Sequence, residues 1–173
     1  NAQPMGFYAP AQIVRDAREH GVTVHPIDVG ASAWDNTLEG ARALRLGLRQ
    51  IDGFRQDWAE AIARVRGHAP FVSIETLAHR ADLPPRALHL LADADALGSL
   101  GHGRREAGWE VRRMPPVQLP LFAAMDAPEL GRESDPALPA LPLSEEVAAD
   151  YQTHRLSLKG HPMQFLRARF ARR

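Results

Sequence analysis

Apolar positions recur every third or fourth residue along most of this chain and shift to a two-residue alternation in only one short region. Ile13, Val14 and Ala17 predict a helix over 10–20, with Pro10 in its first turn and Gly21 as its stop. Val22 to His25 then reads as a short strand. Segments 34–38 and 43–46 predict a β-hairpin crossing over residues 39–42, because Leu44 and Leu46 alternate with polar Arg45. Beyond Gly47 the helical period returns. Trp58, Ile62 and Val65 mark one helix; Ile74, Leu77, Ala78 and Ala81 mark a second at i, i+3, i+4, i+7 spacing. Pro84 and Pro85 start a third through Leu88, Leu91 and Ala92, and Ala107, Val111 and Met114 mark a fourth after the glycine-rich break at 98–103. A final helical pair starts at Ser144, where Glu145 and Glu146 suit a first turn, and at Pro162, with Met163, Leu166 and Phe170 on one face. The pattern predicts a mainly α protein with a small α/β N-terminal portion.

Residues 115–143 hold seven prolines and almost no periodicity, which marks a linker. Near its start lies Gln118-Leu119-Pro120-Leu121-Phe122. Leu119, Leu121 and Phe122 lose hydrophobic stabilisation unless an apolar pocket covers them, so the segment reads as a docking peptide. Gln118 can hydrogen-bond at such a pocket's rim, and Pro120 lowers the cost of an extended backbone.

A second feature with chemical content is the turn Ile51-Asp52-Gly53-Phe54, between a short segment at 48–50 and the helix through Trp58. It predicts a helix-hairpin-helix. The glycine lets the backbone approach a phosphate closely, and the amides opening the next helix favour an anion. Arg49 and Arg55 would add salt-sensitive phosphate contacts that read no base. Taken alone, such a turn more often only ends or bends a helix. A half-matching copy follows at Ala94-Asp95-Ala96-Leu97, where Asp95 tolerates a left-handed backbone but repels phosphate. DNA contact is therefore expected at the first turn. Arg104 and Arg105 either reach the DNA backbone or are solvated helix-surface charges.

Composition changes the picture in a few places. The 173 residues carry 21 basic and 21 acidic side chains, so bulk charge does not drive nucleic-acid binding. Asymmetry does more: the second half of the linker is acidic, whereas the last stretch, with Arg155, Lys159, Arg167, Arg169, Arg172 and Arg173, is basic. Cysteine is absent, which excludes disulfides and thiolate zinc sites. No signal peptide or bilayer-length apolar run is present. Histidines lack metal-ligand spacing, and Ser73, Ser99 and Ser157 lack a nucleophile context. Asp93 and Asp95 diverge on a helix and are poor metal ligands. The opening Asn-Ala-Gln-Pro and the patterned sequence at both ends predict a piece of a larger protein.

These residues resemble a known family, the α subunit of bacterial family-C DNA polymerases in its error-prone branch. QPMGFYAPAQIVRDAREHGVTVHPIDV (3–29) is similar to the distal end of the family's fingers domain. ALRLGLRQIDGF (43–54) resembles the approach to its tandem helix-hairpin-helix domain, QLPLF its internal sliding-clamp peptide, and LSLKGHP (156–162) the approach to its OB domain. The resemblance implies four parts: fingers end 1–47, tandem helix-hairpin-helix 48–114, linker 115–143, and a helical segment 144–173. It implies contact to primed double-stranded DNA through Arg49, Ile51, Gly53, Phe54, Arg55, Arg104 and Arg105, and to a sliding clamp through Gln118, Leu119, Leu121 and Phe122. Catalytic aspartates and their magnesium belong upstream in the parent polymerase, so no cofactor and no catalytic residue is expected here. A cytoplasmic, nucleoid-associated place away from membranes follows. Two alternatives remain: a segment that recruits other mutagenesis proteins with its clamp peptide unused, and, least favoured, an independent enzyme.

Overall fold

A computed structural model describes residues 8–114 and 138–170. Helix α1 spans Pro10–Glu19, and Gly21 after it takes a φ of +79°, the left-handed turn that glycine adopts without strain. Strands β1 (Thr23–His25), β2 (Thr37–Leu38) and β3 (Ala43–Arg45) form one sheet in the order β1-β3-β2. β2 and β3 pair antiparallel, with Thr37 opposite Arg45 and Leu38 opposite Leu44, as the alternation predicts. β1 joins β3 in parallel, Thr23 opposite Ala43. That pairing is non-local and leaves no mark on a three-residue strand.

Four helices follow: α2 (Gln56–Arg66), α3 (Ile74–Arg80), α4 (Pro85–Asp93) and α5 (Arg104–Arg113). α3, α4 and α5 start at a side-chain cap, a proline, or a glutamate reaching back to the capping amide (Glu106 to Gly103), whereas α2 opens at Arg55 without a side-chain cap. Ser73 caps α3 by accepting the Thr76 amide at 3.1 Å, and Pro85 opens α4 where its missing N–H costs nothing. Their apolar stripes converge: Ile62, Leu77 and Leu91 are fully buried together with Leu48, Ile51 and Leu97. The mainly α architecture with a small sheet stands as expected.

The N-terminal portion shares this core. Ile27, Val29 and Leu46 belong to the same buried cluster as the helices, and polar ties lock the loop between β1 and β2 in place. The Asp28 carboxylate accepts the Ser99 amide at 2.9 Å, the Ser32 hydroxyl donates to the Leu46 carbonyl at 2.7 Å, and the Arg66 guanidinium donates to the Val29 and Ser32 carbonyls. In α1, however, the inward face is Ala11 and Val14, whereas Ile13 stays exposed. One residue is about 100° of helix turn, so Ile13 and Val14 cannot both face a core that touches only one narrow side.

The next helix, α6, spans Leu143–His154, one residue ahead of the predicted start, with Pro142 as its N-cap. It is anchored by a buried ion pair between Arg104 of α5 and Asp150, while Arg104 also donates to the Glu146 carbonyl at 3.0 Å and Ser157 donates to Asp150 at 2.6 Å. Beside it, burial pushes the His154 imidazole below its ordinary pKa, against the opposing pull of Asp150. After Leu156, which is buried, the chain makes a 3-10 turn at Pro162–Phe165 and a one-turn helix α7, Arg167–Phe170. His161 caps the 3-10 turn by accepting the Met163 amide.

Candidate nucleic-acid interface

The first hairpin forms because its two apolar residues point inward and its glycine points outward. Ile51 and Phe54 are buried, and Phe54 packs edge-on against Trp58 at 5.4 Å between ring centroids. Their side chains therefore anchor the turn and cannot touch a duplex. Gly53 is exposed with a φ of +78°. A Cβ placed on Gly53 would have within 4 Å only Arg86 Nη2, at 3.7 Å. The outer face of the turn is open, and among the described residues the Gly53 amide has no acceptor. Asp52 fastens the turn to α6, its amide donating to the Thr153 carbonyl at 2.9 Å and its carboxylate accepting from Arg155.

The arginines named from sequence are differently placed. Arg49 pairs with Asp35 at 2.8 Å and lies over the Trp34 ring. Arg55 makes a two-pronged bond to Asp57 and lies over Trp58. Asp57 is the acid in the first turn of α2. Arg55 holds its carboxyl below the usual range, and the Trp58 and Asp57 amides act the same way. The helix opening that would attract a phosphate thus already carries its own carboxylate, a competitor for the same amides that is visible in the sequence at Asp57. Arg104 is no surface charge: it is buried against Asp150, because a guanidinium is needed there to bridge α5 and α6. Arg105 is exposed and donates to the Pro139 carbonyl at 2.8 Å.

At the second hairpin Asp95 has a φ of +57°, the left-handed conformation its short polar side chain tolerates. Lys159 pairs with it at 2.7 Å and also with Glu146, whose carboxylates outweigh desolvation and raise the ammonium's pKa. This turn faces the C-terminal segment. The peptide residues Gln118, Leu119, Leu121 and Phe122 lie outside the described residues. Among the described residues, no group of three or more His, Cys, Asp or Glu is placed to hold a metal ion, and no helix is long and apolar enough to cross a membrane.

An open-glycine turn set on buried apolar residues, followed by a second left-handed turn at Asp95 between two helices, is the geometry of a tandem helix-hairpin-helix, and a family model described as helix-hairpin-helix motif matches residues 21–107. The chain belongs to that family. The resemblance drawn from its motifs also holds along nearly its whole length. It is 58% identical over 172 residues to the error-prone DNA polymerase of Brucella abortus biovar 1 (strain 9-941), covering 96% of this chain and 16% of that protein. It is 53% identical over 194 residues to the error-prone DNA polymerase of Rhodopseudomonas palustris (strain BisA53), with 99% and 17% covered. A Bradyrhizobium diazoefficiens error-prone DNA polymerase is 45% identical over 228 residues, with 99% and 20% covered. The chain spans about a sixth to a fifth of the length of the curated relatives it matches.

Proposed function

We propose that this chain is the duplex-holding and clamp-docking segment of an error-prone, DNA-directed DNA polymerase that acts in damage-induced translesion synthesis. The observation that carries the proposal is the first hairpin: a left-handed Gly53 on an open face, its amide without an acceptor among the described residues, held rigid by buried Ile51 and Phe54. An amide in that position donates to a phosphate oxygen without reading sequence, which suits an enzyme that must hold any product duplex. The segment contributes grip; metal-assisted nucleotidyl transfer belongs to the parent polymerase's magnesium-binding carboxylates.

Gly53→Val tests the grip. A β-branched residue is strained at this φ, so the turn must shift and the amide swings away. A charge-assisted hydrogen bond is worth about 1.5–3 kcal/mol, and each 1.4 kcal/mol is about tenfold in affinity. Binding to labelled primed duplex should therefore fall about tenfold or more, in fluorescence anisotropy at fixed salt, while circular dichroism shows a folded protein. Unchanged affinity would remove the hairpin from the interface.

The clamp half of the proposal rests on the chemistry of residues 118–122. Docking raises the effective concentration of the polymerase at the primer end without adding a catalytic contact. Replacing Gln118, Leu121 and Phe122 together by alanine is expected to abolish recovery on an immobilised sliding clamp and to leave helical content intact. Equal recovery of the triple variant would shift the role of this region to recruitment of other mutagenesis proteins.

A further inference from the structure

We infer that Arg86, at the start of α4, completes the phosphate site of the first hairpin. The inference rests on the proposed grip by Gly53 and names the cation that works with it. Arg49 and Arg55 flank the turn in sequence, yet both guanidinium groups are engaged, with Asp35 and Asp57. Arg155 is likewise tied to Asp52, and Arg104 to Asp150. Arg86 is different. Its side chain is exposed, and among the described residues it has neither an ion pair nor a hydrogen bond. It also lies against the one open face of the turn, with Nη2 at 3.7 Å from the place a Cβ on residue 53 would occupy.

Arg86 Nη2 stands at ordinary van der Waals distance from the place a Cβ on residue 53 would occupy, so the guanidinium and the glycine turn border the same open surface. An anion resting on that surface would take the Gly53 amide and the fork of Arg86 together, the two-pronged geometry that guanidinium offers phosphate and ammonium does not. This placement also gives the second helix-hairpin-helix a part in DNA contact. Its own turn is closed by the pair of Asp95 with Lys159, but its first helix lends Arg86 to the neighbouring turn. One working phosphate site is then built from both repeats.

The test uses the full chain with labelled primed duplex, measured by anisotropy over a salt series, for Arg86→Ala, Arg86→Lys and Arg64→Ala. Arg64, exposed near the far end of α2 and about 12 Å along the helix from its start, is the matched loss of one positive charge. Arg86→Ala should weaken binding about tenfold and flatten the log–log salt dependence by about 0.9, the slope of one phosphate contact on B-form DNA. Arg86→Lys should recover the slope but only part of the affinity, and Arg64→Ala should change affinity less than about twofold. Thermal melts should be alike, since neither arginine is buried. Equal losses for Arg86→Ala and Arg64→Ala would overturn the inference in favour of diffuse charge. An unaffected Arg86→Ala beside a crippled Gly53→Val would overturn it and leave the hairpin in place. Absence of duplex binding by the unaltered chain would bring down the grip itself, and Arg86 with it.

Discussion

Asp150→Ala is expected to destabilise the fold by about 3–5 kcal/mol, the usual cost of stripping one partner from a buried ion pair. The side chains of Arg104 and Asp150 are only 7% and 5% exposed, so water cannot replace the lost carboxylate. The alanine leaves a buried guanidinium facing a gap and takes from Ser157 the acceptor of its hydroxyl. Arg104 Nε already lacks a partner among the described residues, so this guanidinium has little reserve of bonding. Urea unfolding followed by circular dichroism would measure the loss, and a change below about 1 kcal/mol would mean that the pair is solvated. A double variant with Arg104→Met and Asp150→Leu should be less damaged than either charge removed alone, because no buried charge is orphaned. The pair matters to function through position: it seats α6, whose end holds Asp52 and so the turn that carries Gly53.

Gly47→Ala is expected to cost about 3 kcal/mol, at the upper end for overpacking, and for a reason unlike that at Gly53. Gly47 has an ordinary extended backbone, φ −87° and ψ 158°. Its difficulty is crowding: a Cβ there would sit 2.4 Å from the Trp34 carbonyl oxygen and 2.4 Å from the Asp35 carbonyl carbon. These are backbone atoms of a segment held by the Leu48 amide on Ala33 and the Arg49 amide on Trp34, so they cannot swing aside as a side chain would. Thermal melting of Gly47→Ala beside Gly53→Ala separates the two effects. Gly53 has open space and pays only for its φ of +78°, about 1–2 kcal/mol. A Gly47→Ala protein as stable as the parent would show that this crossing has slack.

The helices and the first hairpin were legible because their signals are local. Apolar spacing at Trp58, Ile62 and Val65, the prolines at 84 and 85, and an apolar-x-Gly-apolar turn each act within a few residues. The exposure of Ile13 was not legible, since a periodic stripe does not say how wide a face its neighbour covers. Nor was the fate of the arginines. Arg49, Arg55, Arg104 and Arg105 look alike along the chain, and only folding brings Asp35 to one, Asp150 to another and the Pro139 carbonyl to a third. Arg86 is illegible for the converse reason: it lies 33 positions after Gly53 and meets it only through the fold.

By itself, then, the order of residues determined which segments coil, that the first hairpin turns at a glycine, and to which proteins the chain is kin, since propensity and motif are properties of short stretches. Tertiary structure decided which charges are spent and which are free. Ion pairing depends on distances of a few ångströms between residues far apart in sequence, and those distances exist only once the core around Leu48, Ile62 and Leu91 has closed.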